Sequence, residues 1–483
     1  MRSTYQVTLF VPESLYKFSE VLISYGYPNH AKFHIDKYFY LFDKLYLPHV
    51  VDKTRLPDSF VRLHSEILES LLGTNYYPEI ISNLIEWEII ECDNLFIKGE
   101  KSLGYRLAEK YRYDSYIRIW SYDTKFTNKL TAYKQSQLYK TFQLNGFNKR
   151  FVDSLESHVS SVTIEAKPAI AFCLDKLRES YNLSHSQLPA IELDQDHFAT
   201  TILNECKTLL KDNPKYRKEE IERKEREEYN NRFNKVKNRE RYIKKKPQTD
   251  EYDFDKFTAD LKAIDRIHAK EFTFIIDNKA NRLHSNFTNL SSKLRPYLRL
   301  DGQKMVGCDI ANSHPLFFGL LLVDYFKERG QNAYSIADVR EYIQDCIAGK
   351  FYNNLMQKVG IPGNDEEKRK AFKTKFFASV FFNKISKQLS RNAQLFKDSF
   401  PTVFDKVQEY KKDDHTQLAI QLQKKESHMI IWDVMRKIQR NNHSLKMISI
   451  HDAIYTTEDC KEIVEHQIKA SFQKKYHITP TIK

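Results

Sequence analysis

Glycine is scarce in this chain, 12 residues among 483, and the C-terminal half contains no Gly-rich loop of the kind that cradles phosphate. Cysteine is no more informative. The six cysteines stand at 92, 173, 206, 308, 346 and 460 with no C-x-x-C pair, which supports neither a zinc ribbon nor a disulfide framework. No apolar run is long enough for a membrane span. The N-terminal MRSTYQVTLFVPESLYKF is too polar for a signal peptide, so the expected location is a reducing cytoplasm, with no membrane partner. Internal repeats are also lacking.

Aromatics and positive charge are abundant. There are 29 tyrosines and 32 phenylalanines, and the formal charge is +13 with a pI near 9.1. A chain of this length has core enough for two to four domains, and its basic balance favours a polyanionic partner such as nucleic acid. The sequence leaves the oligomeric state undetermined.

Three regions are expected. In residues 1–147, SFVRLHSEILESLL and YYPEIISNLIEWEII read as two helices. Two short strands around the basic loop Lys98, Gly99, Lys101 and Gly104 follow them. Helix, helix, hairpin over about 58–115 is the order of a winged helix, which can set a helix in a groove and a wing on phosphate; a helical subdomain that touches nothing fits equally well. Residues 148–265 read as helices, with a charged stretch from Lys215 to Lys246 expected as a long exposed helix or a flexible linker ending in Lys244-Lys245-Lys246. From 266 to 483 strands and helices alternate, beginning with the strand, turn and strand of EFTFIIDNKANRLHS. The expected class is α+β.

Two aspartates stand at the edges of apolar, β-branched runs: Asp309 after Met305-Val306-Gly307-Cys308, and Asp452 after Met447-Ile448-Ser449-Ile450-His451. Either one alone would read as a strand end or a turn cap. Two carboxylates converging from buried strands are costly unless something pairs with them, and a divalent metal ion is the simplest partner. A second pattern is Arg369, Lys373, Phe377 and Phe381, spaced by four, which puts two cations and two aromatics on one helical face.

Over roughly residues 270–483, four segments resemble, in order, the signature regions of family A polymerases, the DNA polymerase I-like enzymes, with the phage single-subunit RNA polymerases as cousins. Arg282-Leu283-His284-Ser285 with Asn289-Leu290 is similar to T-G-R-L-S-S…P-N-L, with Asn281 in place of the glycine. Asp309-Ile310-Ala311-Asn312-Ser313-His314 is similar to D-Y-S-Q-I-E with one residue added, and Arg369 to Phe381 to R-x-x-x-K-x-x-x-F-x-x-x-Y. Glu426-Ser427 stands where a Gln-Gly pair lies, and His451-Asp452-Ala453 resembles H-D-E or H-D-S.

The resemblance implies a right-hand architecture of helical thumb, antiparallel palm and fingers. It implies a DNA-directed DNA polymerase without proofreading, of the divergent type carried by plasmids, phages and transposons, since no D-x-E exonuclease start precedes it. It also implies two Mg2+ ions (Mn2+ able to substitute) held by Asp309, Asp452 and the Ile310 carbonyl. Arg369, Lys373, Phe377 and Phe381 would meet the nucleoside triphosphate. Arg282, Asn289, Asn312, Ser313, His314, Glu426 and His451 would meet primer and template, DNA or RNA, with Arg295 and Arg299 extending the same basic surface. No acid stands between Ile310 and Val323 to screen the sugar 2′-hydroxyl, so a single-subunit RNA polymerase or primer-synthesising enzyme is the alternative. A winged-helix initiator with a degenerate, non-catalytic palm is a third reading.

Overall fold

The computed structural model describes residues 7–24, 34–51, 59–97, 102–112, 116–121, 123–144, 146–193, 198–237, 251–272, 274–277, 279–362, 365–384 and 388–483. The expected wing residues Lys98, Gly99 and Lys101, and the basic run Lys244–Lys246, lie outside them. The fold is mixed α+β, and its contacts divide it into two units: residues 1–137 with 170–265, and 138–169 with 266–483. No described helix is long and apolar enough to cross a membrane.

The first unit contains an antiparallel pair, Thr8–Pro12 with Tyr116–Trp120, beside the helix Ile35–Val51. A three-stranded antiparallel sheet follows, in the order Val61–Arg62, Gly104–Leu107, Ile90–Cys92, with the helices Ser65–Leu72 and Tyr76–Glu86 between its first and last strands in sequence. SFVRLHSEILESLL is thus a two-residue strand before a helix, and not helical throughout. Gly104 is required by space: a Cβ there would come 2.7 Å from an Asp93 carboxylate oxygen and 2.8 Å from the Phe60 Cβ. Asp93 in turn accepts from the Gly104 and Leu95 amides and pairs with Arg62 at 2.5 Å. The charged stretch is helical from Pro214 to Lys237.

The second unit is built on a five-stranded sheet, antiparallel throughout: Ile448–Ile450, Ala453–Thr457, Gln303–Asp309, Leu298–Leu300 and Val162–Ile164. The last of these is a strand within a region expected to be helical. EFTFIIDNKANRLHS forms the antiparallel pair Phe274–Ile276 and Leu283–Ser285. The helix Ser313–Glu328 is apolar on nearly every side, which is the pattern of a buried helix, and nine of its residues are buried. Gly319 lets a neighbouring helix close on it, since a Cβ would sit 3.2 Å from Ile343. The helix Lys149–Ser160 is tied to the sheet by His158, whose buried Nδ1 lies 3.1 Å from the Met447 carbonyl. Burial drives this imidazole's pKa down to about 4, so it donates as the neutral ring.

A carboxylate corner with facing cations

The register of the sheet brings the two aspartates to one corner. Asp309 ends its strand opposite Ala453, and Ala453 also pairs with Ile450, so His451 and Asp452 form a two-residue hairpin loop beside Asp309. His451 sits at φ 57°, in the left-handed region. A two-residue hairpin loop needs positive φ at its first position, and a non-glycine residue there carries strain that the sheet must hold. Asn312 (φ 53°) and Asn281 (φ 55°) share that conformation, each one residue before a site element. Asn281 stands where the resembled family has glycine; asparagine is among the residues that enter this region most readily.

The strand continues past Asp309 into a second pairing. Asp309 and Lys483 exchange both backbone hydrogen bonds, at 3.3 and 2.8 Å, and Ile310 bridges Ile482. Directly opposed residues in an antiparallel pair share a face, so the Lys483 side chain leaves the backbone on the same side as that of Asp309. Nothing in the sequence singled out Lys483, because a single β-bridge has no period to read.

Burial raises the Asp309 carboxyl to about 6, and the nearby Asp452 charge adds to the rise, while Lys483 and Lys373 oppose it. One Asp309 oxygen is buried with no hydrogen-bond partner. A desolvated carboxylate beside a second carboxylate fits a hard cation, which would remove both penalties. Among the described residues no group of three or more His, Cys, Asp or Glu is placed to hold a metal ion, so protein oxygens beyond this pair would come from backbone.

The cations come chiefly from the helix Glu366–Phe377. Its N-cap, Asp365, accepts from the Lys368 amide. Arg369 donates to Asn353 at 2.8 Å, and Lys373 is exposed and close enough to Asp309 to act on its charge. Lys483 loses basicity through burial and the nearby Arg369 charge, with Lys373 adding. Two cations, Lys373 and Lys483, therefore act on the Asp309 charge, and Arg369 lies near enough to Lys483 to act on it in turn.

The aromatic end of the expected stripe needs correction. From Ala378 to Phe382 the helix widens to π geometry, so spacing by four no longer holds one face. Phe381 is fully buried against Phe318, Phe376 and Phe396, and belongs to the core. Phe382 is 38% exposed and lies 5.0 Å from the Phe377 ring, and it takes the outward place. Phe377 also meets His314 edge-on at 4.9 Å.

On the other flank Arg282 grips Glu426 with both carboxylate oxygens at 2.7 Å. Glu426 is only 1% exposed, and burial lifts it to about 7 against the pull of Arg282, with Asp452 and Asp309 pushing the same way as burial. The His314 imidazole stands 3.9 Å from the same carboxylate and is driven down to about 4 by burial. His451 is lowered by burial and by the Arg282 and Arg295 charges. Asn312 and Ser313 are buried at the start of the central helix, and Asn289 is exposed in the turn after Thr288. Arg295 reaches the Tyr455 hydroxyl at 3.4 Å. Arg299 is engaged with Glu165 and with the Pro296 and Leu298 carbonyls, so it does not extend the basic surface as expected. The Glu426–Arg282 pair was invisible in sequence, since 144 residues separate its members. No protein-family model matches the chain, and no curated protein matches its sequence.

Proposed function

We propose that the second unit is the catalytic core of a template-directed nucleotidyltransferase, a DNA-directed DNA polymerase without proofreading, built as a right hand with its palm on the five-stranded sheet. The observation that carries this reading is the corner itself: two aspartates joined by strand register, one with an unpartnered buried oxygen, Lys373 and Lys483 acting on its charge, and Arg369 near Lys483.

Asp309 and Asp452, with the Ile310 carbonyl, would hold two Mg2+ ions, which when bound acidify a primer 3′-hydroxyl and neutralise charge on the transferred phosphoryl group. The protein's own groups do the positioning. Arg369, Lys373 and Lys483 draw in the triphosphate and hold its leaving end, where charge accumulates as pyrophosphate departs. Phe377 and Phe382 offer ring faces to the incoming base. His314, kept neutral by burial and backed by Phe377, forms a wall where the sugar would lie. Arg282 is oriented by Glu426 toward the minor groove, where its guanidinium senses pair shape more than sequence. In the first unit, the three-stranded sheet with its two helices has a winged-helix order, suited to holding duplex DNA.

The lack of an acid between Ile310 and Val323 favours a second reading in which ribonucleotides are the substrate, as in a single-subunit RNA polymerase or a primer-making enzyme. Primer extension with magnesium and either nucleotide set decides between them. Extension with deoxynucleotides is expected, and Asp309→Asn or Asp452→Asn should each lower it at least about a hundredfold, the equivalent of several kcal/mol of lost charge stabilisation. Extension with ribonucleotides alone would move the assignment to the second reading. No synthesis with either set, or full activity in both variants, would leave a binding protein with a degenerate palm.

A further inference from the structure

A second basic cluster lies outside the carboxylate corner. Where the helix Lys149–Ser160 begins, Arg150 and Phe151 border a cavity of about 200 Å3 whose other side carries Arg436, Arg440 and His443. No acidic side chain lines it. Among the described residues none of these three arginines forms an ion pair, whereas Arg62, Arg106, Arg112, Arg118, Arg282 and Arg299 each take a carboxylate. The cluster is held in shape. The Arg436 guanidinium stacks 4.7 Å over the Trp432 ring, and Arg150 donates to His443 Nε2 at 3.2 Å, joining the two sides.

Arg436 and Arg440 are one helical turn apart on the same face, and like charges at that spacing repel. Burial and the Arg440 charge both lower the Arg436 guanidinium's proton affinity. The fold keeps three positive forks around one hollow with no counter-charge. Guanidinium forks match the oxygens of a phosphate, and three of them exceed what a single carboxylate can use.

We infer that this cavity is a binding site for a phosphate group, supplied by the backbone of a nucleic-acid strand. A free phosphorylated small molecule offers the same chemistry from another source. The site is independent of the polymerase reading, because it uses none of the residues of the carboxylate corner.

The test uses the full chain carrying Arg150→Gln with Arg440→Gln. Both positions are exposed, so the fold should survive, which circular dichroism checks. Binding of a fluorescein-labelled single-stranded oligonucleotide is measured by anisotropy across a salt series without nucleotides. Two lost phosphate contacts should flatten the slope of log K against log salt by about 1.4 and weaken binding by about tenfold at 0.1 M salt. Lys327→Gln with Lys412→Gln removes the same charge at exposed positions outside the cavity and should leave the slope unchanged. Arg436→Lys, which keeps charge and loses the fork, should fall between. In a parallel arm, inorganic pyrophosphate is tested for thermal stabilisation of each protein. Unchanged oligonucleotide binding with pyrophosphate stabilisation lost only in the arginine variant would keep the phosphate site and assign it a small phosphorylated ligand. If neither probe distinguishes the arginine variant from the lysine control, the inference is wrong.

Discussion

Charges are used differently in the three-stranded sheet of the first unit and in the carboxylate corner of the second. In the small sheet both arginines are answered, Arg62 by Asp93 and Arg106 by Glu91, whose other oxygen takes Arg112 from the short helix Glu109–Arg112 that follows. In the corner, Asp309 keeps a buried oxygen without a partner while Lys373 and Lys483 act on its charge. Paired charges brace a fold. Charges held near one another but left open cost stability, and the cost makes sense where a ligand completes the set.

Glu426 tests the contrast most severely, because it is a corner residue that is paired. Arg282→Ala would leave its carboxylate 1% exposed with no strong partner and should destabilise the protein by about 3 kcal/mol in denaturant unfolding. Arg106→Ala, which breaks a pair exposed by about a quarter on the arginine and over a third on the glutamate, should cost under about 1 kcal/mol. Equal losses would remove the distinction between the regions.

A smaller effect is expected at Lys483. If the open cations await a triphosphate, Lys483→Gln should raise the nucleotide KM about tenfold, the worth of one hydrogen bond to a charged group, with kcat less affected. Unfolding midpoints should barely move, since Lys483 forms no salt bridge among the described residues. A stability loss with unchanged KM would make it a bracing residue like those of the small sheet.

The smallest effect has the opposite sign. Asp309 titrates near 6 in the folded chain and near 4 when unfolded, so the native state binds the proton more tightly. The resulting stability is fully present below pH 4 and is lost as pH rises through 6. Without metal, Asp309→Asn should therefore stabilise the protein at pH 7.5, by about 1 kcal/mol after discounting for solvent, and make little difference at pH 4. A destabilised variant at pH 7.5 would show that the open carboxylate braces the corner after all.

Much of this corner was legible beforehand. The runs around Asp309 and Asp452 are apolar and β-branched, and they formed adjacent strands. The hairpin that carries Arg282 was also read as strand, turn and strand. Very short pairings were not legible: the strand Val162–Ile164 sits between helices, and Ile482 forms a single bridge with no neighbours to alternate. Phe381 was misplaced for another reason. Spacing by four presumes an α-helix, and nothing local in ASVFF signals the wider turn that its packing produces. The Arg282–Glu426 pair belongs to tertiary structure alone.

That wider turn recurs. His428–Met435 is also π-helical and runs on directly from Glu426 and Ser427. A π turn takes in one residue more than an α turn while the helix goes on, so everything downstream is displaced by a single letter against any fixed-gap pattern. Two such stretches lie between the segment around Lys373 and the hairpin of Asp452. A rule that counts residues from one to the other would be out of step on arrival, although the strands themselves meet in register.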